Sequence, residues 1–161
     1  MSESLPIQKH NVVRGRLLAL LVIPVGVALW ILLWSWGFMS ALVAFAIAYG
    51  AIWLFKLGAK TQPSRTDVYY LLAVIAVGVV AAFLGGMISD AWSVWSTEVA
   101  SGAEFFGADF WSFVGQNITN GDLWKSYMTD ILIAIVFAAL GAGVLVKDLL
   151  QANRDDTSKL A

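Results

Sequence analysis

With 161 residues, 60% of them hydrophobic and 13% charged, and a mean hydropathy of +0.78, the chain lies outside the composition of water-soluble domains. Its net charge of −1 gives no nucleic-acid footprint, and the absence of cysteine excludes disulfides, thiolate metal ligands and cysteine nucleophiles. The solvent of most of this polypeptide is lipid.

Residues 1–16 read as a polar tail carrying Lys9, Arg14 and Arg16. The uncharged run from Leu17 to Phe55 is too long for one crossing, since roughly 20 residues at about 1.5 Å rise span a hydrocarbon core about 30 Å thick. It divides into two predicted spans, about 17–36 and 39–57, joined by the turn Ser35 to Ser40. Basic residues before an apolar run resemble a signal peptide, but the run continues into a second helix. The A-x-A match at Ala44 to Ala46 falls inside it, so the first span is expected to be an uncleaved anchor. Pro24 removes one backbone hydrogen bond and predicts a kink near Val25 and Gly26. Gly37 is expected to end the first span and Gly58 the second.

Pro63 and Ser64 break the connection that follows, and Tyr69 and Tyr70 anchor a third span at about 68–89. Trp92, Trp95 and Val99 keep a helical stripe that carries this helix past the bilayer. Phe106, Phe110, Phe113 and Val114 recur at i, i+4, i+7, i+8, with Glu104, Asp109, Ser112 and Gln116 among the intervening residues. That pattern predicts an amphipathic helix in the interface. Asn117 to Asp122 reads as a turn, Trp124 and Tyr127 as re-entry anchors, 127–146 as the fourth span, and 148–161 as a charged tail without structure past Gln151.

Charge orients the spans. Lys9, Arg14 and Arg16 precede the first, Lys56, Lys60 and Arg65 separate the second from the third, and Lys147, Arg154 and Lys159 follow the fourth. The segment Asp90 to Asp130 holds Asp90, Glu98, Glu104, Asp109, Asp122 and Asp130 against one base, Lys125. The positive-inside rule places both termini in the cytoplasm and the 90–126 loop outside. The fold class expected is an all-α integral membrane bundle of four transmembrane helices, one domain over 17–147, with an extracytoplasmic interfacial helix between helices three and four.

In lipid, small residues that allow close backbone approach mark helix contacts. Gly78, Ala82 and Gly86 form such a ridge on the third span, and Ala134, Ala138 and Ala142 on the fourth, which predicts that these two faces pack together. Ala44, Ala48 and Ala51 give the second span a weaker stripe. Trp34, Trp36, Trp92, Trp95, Trp111 and Trp124 fall at the outer boundary and Trp53 at the inner one, as an aromatic belt requires.

No charged residue falls deep within a predicted span, which removes the usual marker of an ion path. Asp90 and Asp130 stand at the outer ends of helices three and four, where adjacent carboxylates would share a cation or proton. His10 is the only histidine, the acidic residues match no EF-hand spacing, and phosphate loops, nucleophile elbows and HExxH are absent. Asn117-Ile118-Thr119 fits a glycosylation sequon. No cofactor or metal site is expected, and no catalytic constellation.

The stretch from Pro24 through Gly26, Trp30 and Gly37 to Tyr49-Gly50 and Phe55-Lys56-Leu57-Gly58-Ala59-Lys60 resembles the opening of a group of small uncharacterised bacterial four-span membrane proteins. The similarity runs on through the aromatic outer segment and Tyr127 to Gly141. Several members of that group carry an N-terminal zinc ribbon, which this cysteine-free chain lacks. The resemblance implies a multi-pass protein of the bacterial plasma (inner) membrane and supplies no activity. The expected function is that of a non-enzymatic accessory or interaction protein. Its outer aromatic, acidic loop, with Phe106, Phe110 and Trp111 foremost, contacts a partner or lipid. The alternative is a small oligomeric transporter or channel with Asp90 and Asp130 at its outer mouth; an intramembrane enzyme acting on lipid ranks third for want of an acid, base or nucleophile.

Overall fold

The structure, a computed structural model, describes residues 11–36, 41–98 and 102–158, with side chains for all of these but 41, 144–146 and 148–158. Gly37, Met39 and Val99 lie outside the described residues. The described residues form helices joined by short connections, without strands: α1 (Val12–Leu20), α2 (Val22–Ser35), α3 (Ala41–Ala59), α4 (Arg65–Glu98), α5 (Ala108–Thr119) and α6 (Gly121–Ser158). Four helical stretches are long and apolar enough to cross a membrane: Val12–Ser35, Leu42–Ala59, Arg65–Glu98 and Gly121–Gly143. The chain is a multi-pass helical membrane protein.

α1 begins well before the expected Leu17, because the Asn11 side chain caps it by accepting from the Arg14 N–H at 3.0 Å. α1 and α2 form one crossing interrupted at Leu21. The expected kink thus falls a turn earlier than Val25, since Pro24 has no N–H to return to the Leu20 carbonyl and its ring crowds that turn. α3 does not stop at Gly58 but at Lys60, whose φ of 54° places it in the left-handed region. α4 continues through Trp92 and Trp95 to Glu98, and its 34 residues measure about 51 Å, well beyond the hydrocarbon thickness. α6 starts at Gly121 rather than near Tyr127. The Asn120 side chain accepts from the Asp122 N–H at 3.0 Å and so compresses the expected 117–122 turn to a single cap. Its backbone stays helical to Ser158, past the expected end of structure at Gln151, in a stretch that Gly143 onward leaves free of glycine and proline.

Helix packing relies on glycine at points where backbones meet. At Gly58 a Cβ would stand 2.8 Å from the Gly15 Cα and 2.9 Å from the Arg14 carbonyl oxygen, so α1 and α3 touch backbone to backbone there. Gly26 accommodates Ile47, and Gly86 accommodates the indole edge of Trp30. These contacts fill a core whose largest fully buried side chains include Trp30, Ile47, Phe55 and Leu71.

The expected face-to-face packing of the third and fourth spans is not what forms. The Gly78–Gly86 ridge receives the side chains of α2 and Ile47 of α3, while α6 lies chiefly along α3, with Gly141 against Ala48 and the Phe45 carbonyl. Ala82, Ala134 and Ala142 are buried and Ala138 partly so. α4 and α6 diverge instead around an apolar groove of about 340 Å³ lined by Val79, Ala138 and Ala139 among others. A bulky Trp30 requires a flat glycine floor, whereas two small-residue faces leave little side chain to fill the space between them.

Candidate functional site

Two polar nodes lie at opposite ends of the bundle. At one, Asp67 of α4 is 3% exposed. Arg16 of α1 donates to its Oδ1 through Nε at 2.9 Å and Nη2 at 2.7 Å, while the Ser64 hydroxyl at 2.6 Å and backbone N–H at 3.1 Å donate to its Oδ2. The Asp67 N–H returns to the Ser64 hydroxyl at 3.3 Å, which completes a reciprocal cap at the start of α4. The Arg16 guanidinium lies 5.6 Å from the Tyr70 ring centre, and the Tyr70 hydroxyl donates to the Arg16 carbonyl oxygen at 3.1 Å. Both oxygens of a buried carboxylate thus accept two hydrogen bonds each, Oδ1 clamping α1 to α4 and Oδ2 capping α4. This node is structural, and sequence reasoning missed it: hydropathy marks Asp67 only as a boundary residue, although the pattern Ser64-x-x-Asp67 carries a capping signal.

At the other end, Asp90 of α4 accepts from Trp34 Nε1 of α2 at 2.7 Å on Oδ1 and from the Tyr127 hydroxyl of α6 at 2.9 Å on Oδ2. Three helices meet on one carboxylate. Aromatic rings floor the node: Trp30 stacks on Trp34, and Phe83 packs edge-on against both Trp30 and Tyr127. Trp34 and Tyr127 therefore do more than the anchoring assigned to them from sequence. Asp130, one turn beyond Tyr127 on α6, is half-buried and takes no part in these bonds, so no two-carboxylate site with Asp90 forms. Among the described residues no group of three or more acidic or histidine side chains is placed to hold a metal ion.

Above this node α5 packs on the extension of α4 through a second core of Ala91, Phe110 and Val114. The Phe110 ring meets Trp92 edge-on at 5.3 Å and lies 6.4 Å from Trp95. Phe110, expected among the contact residues, is fully buried and is a core residue of this cap. Phe106 precedes α5, so it does not join the expected stripe: it is 89% exposed, and Trp111 is 42% exposed. The two flank Phe105, with ring centres 5.2 and 5.8 Å from its own, and form an aromatic tip outside the packed core.

Between α4, α5 and the start of α6 lies a cavity of about 430 Å³. Asp90, Ser93, Asn117 and Tyr127 contribute its polar lining and Met87, Val94, Phe113 and Leu123 most of its apolar wall. Neither Asp130 nor the aromatic tip lines it.

These features define a helical multi-pass membrane protein with a folded cap on one end of its bundle. No family model, no curated protein and no solved structure matches the chain.

Proposed function

We propose that this chain is a non-enzymatic accessory protein of a bacterial plasma membrane, with both termini in the cytoplasm, that works through its α4–α5 cap by docking a partner protein. The observation that supports the reading is the exposure of Phe106 and Trp111 on a cap that is already closed internally by Phe110 and Val114. Exposed aromatic side chains on a rigid support are the usual anchors of protein interfaces. Glu98, Glu104 and Asp109 lie close to them in the chain, so the partner presents a basic rim. The test is photocrosslinking in native membranes from positions 106 and 111, with 110 and 114 as buried controls. The reading expects one recurrent protein adduct from 106 and 111 and none from the controls. Adducts only with lipid or with a second copy of the chain would refute it.

A small oligomeric transporter is the second reading, and the cavity beside Asp90 is what favours it. Retained flux in an Asp90→Asn, Asp130→Asn double variant would remove the role of both carboxylates.

A further inference from the structure

We infer that the cavity between α4, α5 and α6 binds an organic cation, a protonated or quaternary amine on an apolar body. The cavity's volume of about 430 Å³ falls within the range of small-molecule sites, and its lining, mostly apolar with a few converging polar groups, has their usual composition. What selects the ligand is Asp90. Its two bonds come from neutral donors, Trp34 and Tyr127, which orient the carboxylate without cancelling its charge. Among the described residues no lysine, arginine or histidine lines the cavity. The nearest base in sequence, Lys125, is already 2.8 Å from Asp122.

The alternatives fit less well. An anion would meet a carboxylate of its own sign in a largely apolar setting and be repelled. A metal ion would find one carboxylate, and among the described residues no group of three or more acidic or histidine side chains is placed to hold it. A neutral hydrocarbon would leave Asp90, Ser93 and Asn117 without a role. An ammonium group satisfies the carboxylate, and Tyr127 and Phe113 supply aromatic rings to the lining, of the kind that attract a cation. Met87, Val94 and Leu123 then cover the ligand's apolar portion. Because Asp90 ties α2, α4 and α6 together, a bound cation stiffens the end of the bundle that carries the cap. The inference stands apart from the docking reading, since neither Phe106 nor Trp111 lines the cavity.

An ammonium on an apolar body reaches this site either as a soluble amine or as the headgroup of an amine-bearing lipid. The test uses purified full-length protein in a non-ionic detergent free of amine lipids, titrated with benzyltrimethylammonium and followed by calorimetry. Benzyl alcohol and benzoate serve as neutral and anionic controls. The expected result is saturable binding of the cation alone. Asp90→Asn should weaken it by about tenfold or more, as neutralising one member of a close charge pair does. Ser93→Phe, which adds bulk at the lining and leaves Asp90 and its two donors unchanged, should weaken it strongly. In nanodiscs, competition by phosphatidylethanolamine but not phosphatidylglycerol assigns the site to a lipid headgroup, and undiminished binding in both assigns it to a soluble amine. Equal binding of benzyl alcohol, or binding unchanged in both variants, would overturn the inference.

Discussion

The backbone contact at Gly58 turns directly into a stability series. In Gly58→Ala the new Cβ would stand 2.8 Å from the Gly15 Cα, 2.9 Å from the Arg14 carbonyl oxygen and 2.9 Å from the Gly15 nitrogen, about half an ångström inside ordinary contact on every side. All three neighbours are backbone, so no rotamer change relieves the clash and α1 itself must move. Overpacking of this kind costs about 1–3 kcal/mol. Alanine recovers up to about 1 kcal/mol of helix propensity, which leaves a net loss of up to roughly 2 kcal/mol and places this variant about 1–3 kcal/mol below an alanine introduced without a clash. Two further glycines calibrate the number. At Gly50 the Cβ would meet only the end of the Val22 side chain at 3.2 Å, and at Gly143 nothing lies within 4 Å. Gly50→Ala should be close to neutral, and Gly143→Ala should be neutral or stabilising by up to about 1 kcal/mol. The assay is reversible unfolding in mixed micelles by titration with dodecyl sulfate, read by far-ultraviolet circular dichroism. A Gly58→Ala variant as stable as Gly143→Ala would refute the backbone contact between α1 and α3.

Arg16→Ala strands the buried Asp67 carboxylate and should destabilise the bundle by about 2–3 kcal/mol in the same assay, below the roughly 3–5 kcal/mol of a fully buried pair because Arg16 is 38% exposed. Asp67→Asn in the Arg16→Ala background should recover part of that loss, since the amide oxygen still accepts from Ser64; no recovery would argue against a stranded charge. Phe110→Ala removes the centre of the small second core, and hydrogen exchange should show faster exchange across α5 with α2 and α3 unchanged. Uniform protection across α5 would refute the cap as a packed unit.

The four crossings were legible because hydropathy over 18 or more residues depends on lipid contact alone and not on which helix lies alongside. Packing partners were not legible. The Gly78–Gly86 and Ala134–Ala142 stripes each permit close approach without naming the neighbour, and the choice was made by Trp30 and Ile47, large residues that needed a glycine floor. Helix starts moved wherever a side-chain cap intervened, at Asn11, Ser64 and Asn120, all recognisable cap residues that outweigh the hydropathy edge. Asp90 was picked out from sequence by its position, but its partners Trp34 and Tyr127 come from helices distant in the chain, and no local pattern couples them. Phe106, Phe110 and Trp111 looked alike in sequence. Only the packing of α5 on α4 separates the buried Phe110 from the exposed pair.

The proposed working face has meaning only if the cap and the Asp67 node lie on opposite sides of the membrane, with the cap outside. The cysteine-free chain allows this to be measured without background, by single cysteines at two exposed positions, Gln116 in α5 and Gln62 in the α3–α4 connection, labelled with a membrane-impermeant maleimide. The account predicts that position 116 labels in intact cells and position 62 only after permeabilisation. Labelling of 62 in intact cells with 116 protected would contradict the orientation and place the aromatic tip in the cytoplasm.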